Sequence, residues 1–202
     1  MTITLIRHGQ TLWNAARRMQ GHTDIPLCDI GLAQAEKVAA RLASQPCDVI
    51  YTSDLVRAAK TADVIKSVIK SHQAACIAEV VTTTALRESS FGIFEGRVYD
   101  EAREEMEAYR QRGQPYPEAE SYDEFFGRVQ DFLKEVTASG HEHIYIVSHG
   151  GTITAMICHL LGLPYERRVD YRVGNTALYS FKRDADLFVM TLENDTSHLD
   201  VT

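Results

Sequence analysis

Short, strongly apolar runs separated by segments of helical period dominate this 202-residue chain, and that alternation limits its fold more than any other feature. The runs at Thr2–Ile6, Val49–Tyr51 and His143–Val147 are too short for helices and rich in branched or aromatic residues, so they read as strands. Between them, Leu32, Ala35, Val38, Ala39 and Leu42 mark one buried face of a helix over Leu32–Ser44. Leu55, Ala58, Ala62, Ile65 and Ile69 mark a second helix, which Ser53 can cap. A strand followed by a helix, repeated, predicts a largely parallel sheet with helices on its faces. The apolar run HIYIV suits a central position in that sheet.

The remaining elements fit the same plan. A strand is expected over Cys76–Val81, followed by the loop TTTALRESSFGIFEGR. Residues 97–120 are strongly polar and end in a Pro-rich turn, which predicts a helical insertion over the main sheet. Ser121 and Glu124 form a capping box that starts a helix whose buried face is Phe125, Val129, Phe132, Leu133 and Val136. A helix over Thr152–Leu161 stops at Gly162, with Pro164 just beyond. Ala177–Phe181 and Leu187–Leu192 predict a closing hairpin. The fold class expected is α/β: a three-layer α/β/α sandwich with a mostly parallel sheet and one antiparallel edge strand, forming a single domain over 1–202. No repeat or linker divides the chain.

Net charge narrows the function. At −7 the chain lacks the basic face that nucleic-acid binding requires. No apolar run reaches membrane-spanning length, and the N-terminus carries no signal pattern. Cys28, Cys47, Cys76 and Cys158 are scattered without metal or disulfide spacing, so they read as reduced thiols in a cytoplasmic protein.

In an open parallel sheet, ligands collect at the carboxyl ends of the strands. Arg7, His8 and Gly9 follow the first strand; Ser53, Asp54 and Arg57 follow the second; Arg87 and Glu88 follow the third; Ser148, His149, Gly150 and Gly151 follow HIYIV. Clustered guanidinium groups match phosphate oxygens bidentately. A neutral histidine among them can attack phosphorus, and glycine after each histidine would let backbone approach an anion closely. The constellation points to phosphoryl transfer through a phosphohistidine. For a metal site built from His8 and His149 no H-x-H or H-x-x-x-H spacing gives support, and the flanking arginines would repel a cation.

Five segments in order, RHGQT (Arg7–Thr11), RRMQGHTDIPLCDIGLAQA (Arg17–Ala35), SDLVRAAKTA (Ser53–Ala62), LRESSFGIFEG (Leu86–Gly96) and VSHGG (Val147–Gly151), resemble the histidine phosphatase superfamily, in its phosphoglycerate mutase-like branch. The resemblance implies the phosphoglycerate mutase-like fold. It implies that His8 is the phosphorylated nucleophile, that Arg7, Arg57 and His149 form the phosphate pocket, and that Glu88 is the proton donor. It further implies substrate contacts at Asn14, Thr23 and Gly150, and a mechanism that uses neither metal nor cofactor.

Within the resemblance, mutase and phosphatase differ in what accepts the phosphoryl group. Mutases carry an E-R-H-Y-G continuation after the acid, whereas Ser89, Ser90 and Phe91 follow Glu88. That departure, and the short insertion, favour a metal-independent phosphatase acting on a small phosphorylated metabolite of the phosphoserine, sugar phosphate or ribazole phosphate class. A cofactor-dependent phosphoglycerate mutase is the first alternative. A non-catalytic phospho-ligand module is the second, although such modules lose catalytic groups that this chain keeps. The ending ENDTSHLD resembles that of small broad-specificity and phosphoserine phosphatases, which makes His198 a candidate specificity residue. Tyr109, Tyr116 and Glu120 are expected at the pocket rim. Isolated edge apolars allow a homodimer without requiring one.

Overall fold

The computed structural model describes residues 1–72, 79–185 and 187–200. In chain order the main elements are β1 (Thr2–Arg7), α1 (Leu12–Ala15), α2 (Asp29–Leu42), β2 (Val49–Ser53), α3 (Val56–His72), β3 (Glu79–Thr83), α4 (Tyr99–Gln111), α5 (Tyr122–Ala138), β4 (His143–Ser148), α6 (Gly150–Leu160), β5 (Leu178–Asp184) and β6 (Leu187–Asp195). Among the described residues, no helix is long and apolar enough to cross a membrane. Cys28 and Cys158 are free thiols and Cys47 is buried; Cys76, with the first part of the strand expected over Cys76–Val81, lies outside the described residues.

The strands form one sheet in the order β3-β2-β4-β1-β5-β6. The first four are parallel, and the hairpin of β5 and β6 supplies the antiparallel edge. Alternation of side chains along each strand divides the core into two layers. Ile3, Leu5, Ile144 and Ile146 face α5 and α6 through Phe125, Val129, Phe132 and Met156. Ile6, Ile50 and Val147 face α2 and α3 through Val38, Ala39, Ala62 and Ile65. Burial of α5 falls on the five residues that its period predicts, and the Ser121–Glu124 capping box closes its N-terminus in both directions. The sandwich is therefore three-layered, with the apolar run of β4 in its interior.

One expected cap differs. Helix α3 starts at Val56, whose N–H donates to Asp24 Oδ1 at 2.7 Å, and the Ser53 hydroxyl accepts from Leu55 N–H instead. A loop far away in sequence thus closes the helix that carries Arg57. Within 97–120, α4 occupies Tyr99–Gln111, and Ala102 and Met106 pack with Met19, Phe94 and Tyr116 in a small separate core. That core sits on the segments that flank the carboxyl ends of the strands.

Candidate active site

Parallel pairing sets the site. Arg7 on β1 lies opposite Ser148 on β4, so the residues that follow, His8 and His149, emerge side by side. Their ring centroids are 5.1 Å apart. Helix α3 delivers Arg57 to the same place, where its Nε donates to His149 Nδ1 at 3.1 Å. Arg57 also donates to the carbonyls of Thr23 (2.9 Å) and Gly21 (2.8 Å), which fixes the guanidinium. Arg7 donates to the Val173 carbonyl at 2.6 Å. Glu88 arrives from the loop after β3. Its Oε2 accepts from Gly151 N–H at 3.0 Å and its Oε1 from Ser89 N–H at 2.9 Å.

These contacts assign the proton positions. The Gly9 carbonyl can only accept, so the 2.7 Å contact from His8 Nδ1 places the proton on Nδ1 and leaves a lone pair on Nε2. The Arg57 donor requires an acceptor at His149 Nδ1, so neutral His149 carries its proton on Nε2. Burial first, then the charges of Arg7 and Arg57, hold His8 well below the ordinary histidine value of 6.5. His149 is lowered in the same way, by burial and then by Arg57. Burial likewise lowers Arg57 to about 10, against the opposing pull of Glu88 and Asp24. A neutral imidazole with a free Nε2 therefore lies among cationic groups.

Neither Arg7 nor Arg57 makes an ion pair with a carboxylate among the described residues, although Arg57 is 1% exposed. Arg7 Nε and His149 Nε2 are buried donors with no hydrogen-bond partner among the described residues. Buried cations and donors of this kind favour an anion between them. The N-terminus of α6, with His149 as its N-cap residue, adds a favourable dipole end. No group of three His, Cys, Asp or Glu side chains suited to a metal ion occurs among the described residues.

The other sequence candidates divide. Asn14 sits beside the site, its Oδ1 accepting from Thr11 and, at 3.4 Å, from Asn175 Nδ2. Gly150 lies next to Arg7 and Glu88 and lines the cleft. Thr23 reaches the site through its carbonyl, because its hydroxyl is committed to Glu95 Oε2. Arg87 does not face the site; Asp54 holds it in a two-pronged ion pair. His198 is not on the cleft wall. It is 5% exposed and its Nε2 lies 3.0 Å from Thr176 Oγ1. Thr176 N–H in turn donates to the Arg7 carbonyl, so His198 braces the end of β1 from behind.

Gly9 also plays a different part from the one expected. A Cβ there would lie 2.3 Å from the Gly31 carbonyl oxygen, so the missing side chain admits helix α2 and leaves the anion face unaffected. At Gly151 a Cβ would meet Glu88 Oε1 at 2.5 Å, so that glycine makes room for the carboxylate.

Three further residues matter that sequence reasoning missed. Arg128 on α5 donates to the carbonyls of Ala85, Arg87 and Glu88 and pairs with Glu120, clamping the loop that carries Glu88. Glu95 accepts from the backbone N–H groups of His22, Thr23 and Phe91, tying the turn under Arg57 to the same loop. Asn175 Nδ2 donates to the His8 carbonyl at 3.1 Å. Above the buried cluster a cleft of about 580 Å³ opens past Arg7 and Glu88 toward the insertion.

Comparison with known proteins places the chain in a family. Residues 3–196 match the family model described as the histidine phosphatase superfamily (branch 1). A Yersinia pestis (strain Pestoides F) protein named "Probable phosphoglycerate mutase GpmB" is 36% identical, over 100% of this chain and 96% of that one. The α-ribazole phosphatase of Shigella flexneri superposes with a TM-score of 0.84 at 27% identity, covering 96% of each chain. A phosphoserine phosphatase mutant from Entamoeba histolytica, solved with phosphoserine, gives a TM-score of 0.84 at 29% identity, covering 98% of each.

Proposed function

The chain belongs to the histidine phosphatase superfamily, branch 1, as an enzyme of the phosphatase kind, and we propose that it hydrolyses a small phosphomonoester through phosphorylated His8. One observation carries this reading: two arginines without carboxylate partners among the described residues surround an imidazole whose Nε2 lone pair is free.

The reaction follows from the geometry. Arg7, Arg57 and His149 Nε2–H neutralise the phosphoryl oxygens. His8 Nε2 attacks phosphorus, forming the P–N bond as the P–O bond to the alcohol breaks. Glu88, held by two backbone donors, gives its proton to the departing oxygen. As carboxylate it then takes a proton from water. That water attacks phosphorus, the P–N bond breaks, and inorganic phosphate leaves with His8 neutral again. The Nδ1–H bond to the Gly9 carbonyl orients the ring throughout and stabilises the charge that the phosphohistidine develops.

Trapping tests the reading. Acid-quenched enzyme incubated with a ³²P-labelled phosphomonoester is expected to retain label, and His8→Ala to retain none. Label on His8→Ala would remove His8 as nucleophile. The similarity to the Yersinia mutase supports a second reading, in which a phosphorylated acceptor replaces water. Isomerisation of 3-phosphoglycerate with little phosphate release would select it. Ser89, Ser90 and Phe91 in place of the R-H-Y continuation favour the phosphatase.

A further inference from the structure

The cleft beyond the phosphate cluster has a composition that the hydrolytic chemistry does not require. Phe91, Tyr99, Tyr116, Tyr122, Phe126 and Tyr171 line it. Tyr122, Phe126 and Tyr165 are already stacked, with Phe126 and Tyr165 at 3.8 Å between centroids and 8° between planes. Such a lining is dominated by aromatic rings with hydroxyls at their edges; Arg110 engages the Tyr116 hydroxyl, and Thr154 donates to the Gly151 carbonyl.

The charges on the same wall are unequal. Arg7, Arg110 and Arg168 line the cleft, against one carboxylate, Glu88. Arg110 has Glu107 at 3.6 Å. Arg168 has no carboxylate partner among the described residues. Its guanidinium lies 5.7 Å from the ring centroids of both Tyr122 and Phe126, and Nη1 donates to the Tyr165 carbonyl. The rings pack beside this cation and one backbone carbonyl anchors it, while its other donors have no partner among the described residues.

Resting on the phosphatase reading above, we infer that the leaving alcohol is a planar aromatic group carrying a second anion, with its ring against the aromatic lining of the cleft and its anion on Arg168. A carboxylate or a second phosphate satisfies the same guanidinium fork. An ammonium on the alcohol meets the Arg168 cation without a carboxylate to offset it, and an alcohol with neither ring nor anion leaves the aromatic lining and the guanidinium unused. Among the substrate classes that the sequence leaves open, this disfavours simple sugar phosphates, which bring neither an aromatic ring nor a second anion.

Matched esters test it. Ethyl, benzyl, 4-carboxybenzyl and 4-(aminomethyl)benzyl phosphate are compared by kcat/KM for phosphate release, because the benzyl alcohols are similar leaving groups. Benzyl is expected to exceed ethyl about tenfold, and 4-carboxybenzyl to exceed benzyl about tenfold. The aminomethyl ester should fall below benzyl. In Arg168→Gln the carboxybenzyl-to-benzyl ratio should drop to about one, and in Arg168→Lys it should lie between. The ratio cancels any general loss of activity in the variants. A wild-type carboxybenzyl-to-benzyl ratio near one, or one that Arg168→Gln leaves intact, overturns the anion subsite. Equal rates on ethyl and benzyl esters overturn the aromatic wall. Both failures leave phosphatase activity visible, whereas release from none of the esters overturns the phosphatase reading itself and this inference with it.

Discussion

Replacing Gly151 by alanine separates catalysis from folding in a way that few substitutions at this site could. The added Cβ would sit 2.5 Å from Glu88 Oε1, where ordinary contacts begin at 3.4 Å, so the carboxylate must retreat by roughly 0.9 Å. The atom that moves is the end of a flexible side chain, so the backbone need not shift. Glu88 then loses the 3.0 Å bond from Gly151 N–H and its alignment with the leaving oxygen. A misplacement of about 1 Å in a catalytic group costs on the order of 100-fold. General acid–base catalysis of this type is worth about 10²–10⁴-fold in total. The expected kcat is therefore roughly 100-fold below wild type. Stability should move the other way or hold, because alanine favours a helix over glycine by up to about 1 kcal/mol. With 4-nitrophenyl phosphate, whose leaving group needs no proton, phosphorylation should survive while water attack slows. Stopped-flow absorbance should then show a burst of one nitrophenolate per enzyme. A kcat within threefold of wild type, or a loss that tracks a lowered Tm, would refute the role given to the Glu88 position.

Other expectations follow from the same contacts. His8 and His149 are held neutral in the fold, whereas in the unfolded chain they titrate near pH 6.5. The unfolded state therefore binds more protons below that pH, so stability is steady above about pH 7.5 and falls as pH drops from 6.5 toward the depressed native values. Each imidazole contributes a slope of up to about 1.4 kcal/mol per pH unit. Urea denaturation at several pH values should show a shallower slope in His8→Asn, and equal slopes would refute the assignment. Arg128→Met removes the ion pair of Glu120, which keeps the Ser90 N–H, and takes a donor from the Ala85, Arg87 and Glu88 carbonyls, of which the last two keep Thr152 Oγ1 and His22 Nε2, so denaturation should show a loss of about 2 kcal/mol. Because the loop carries Glu88, kcat should fall about tenfold with KM nearly unchanged; a stability loss alone would make Arg128 merely structural. Gly9→Ala forces a Cβ against the Gly31 backbone at 2.3 Å, which should destabilise by about 2–3 kcal/mol in calorimetry. A Tm equal to wild type would contradict the close approach of β1 and α2.

The chain's periodicities carry the fold because they are local. The α5 stripe could be read from five residues and a capping box, since burial there repeats at the helix period. The run HIYIV shows its interior position in composition alone, because a strand covered on both faces needs no polar alternation. Strand ends then bring Arg7, His8, Arg57, Glu88 and His149 together by topology, without any contact being foreseen. Asp24 over α3 was not legible, because a cap supplied 32 residues away leaves no mark on the helix it closes.

The same distance in sequence explains what was misread at the site. Arg128 looks like one more polar residue on the outer face of α5, yet it reaches carbonyls 40–43 residues earlier in the chain. Gly9 invites a reading in terms of phosphate, and only the crossing of α2 shows that Gly31 fills the space. His198 reads as a tail residue free to meet substrate; the structure buries it against Thr176, which supports the Arg7 carbonyl. In each case the residue type was informative and its partner was not. The reacting groups lie in contiguous motifs because they must converge at strand ends, but the groups that aim them are drawn from wherever the chain passes. A motif therefore identifies the chemistry of this chain well and its substrate poorly. The wall that would choose the alcohol comes from α4, α5 and the 165–173 segment, whose aromatic residues show no spacing that a sequence pattern could reveal.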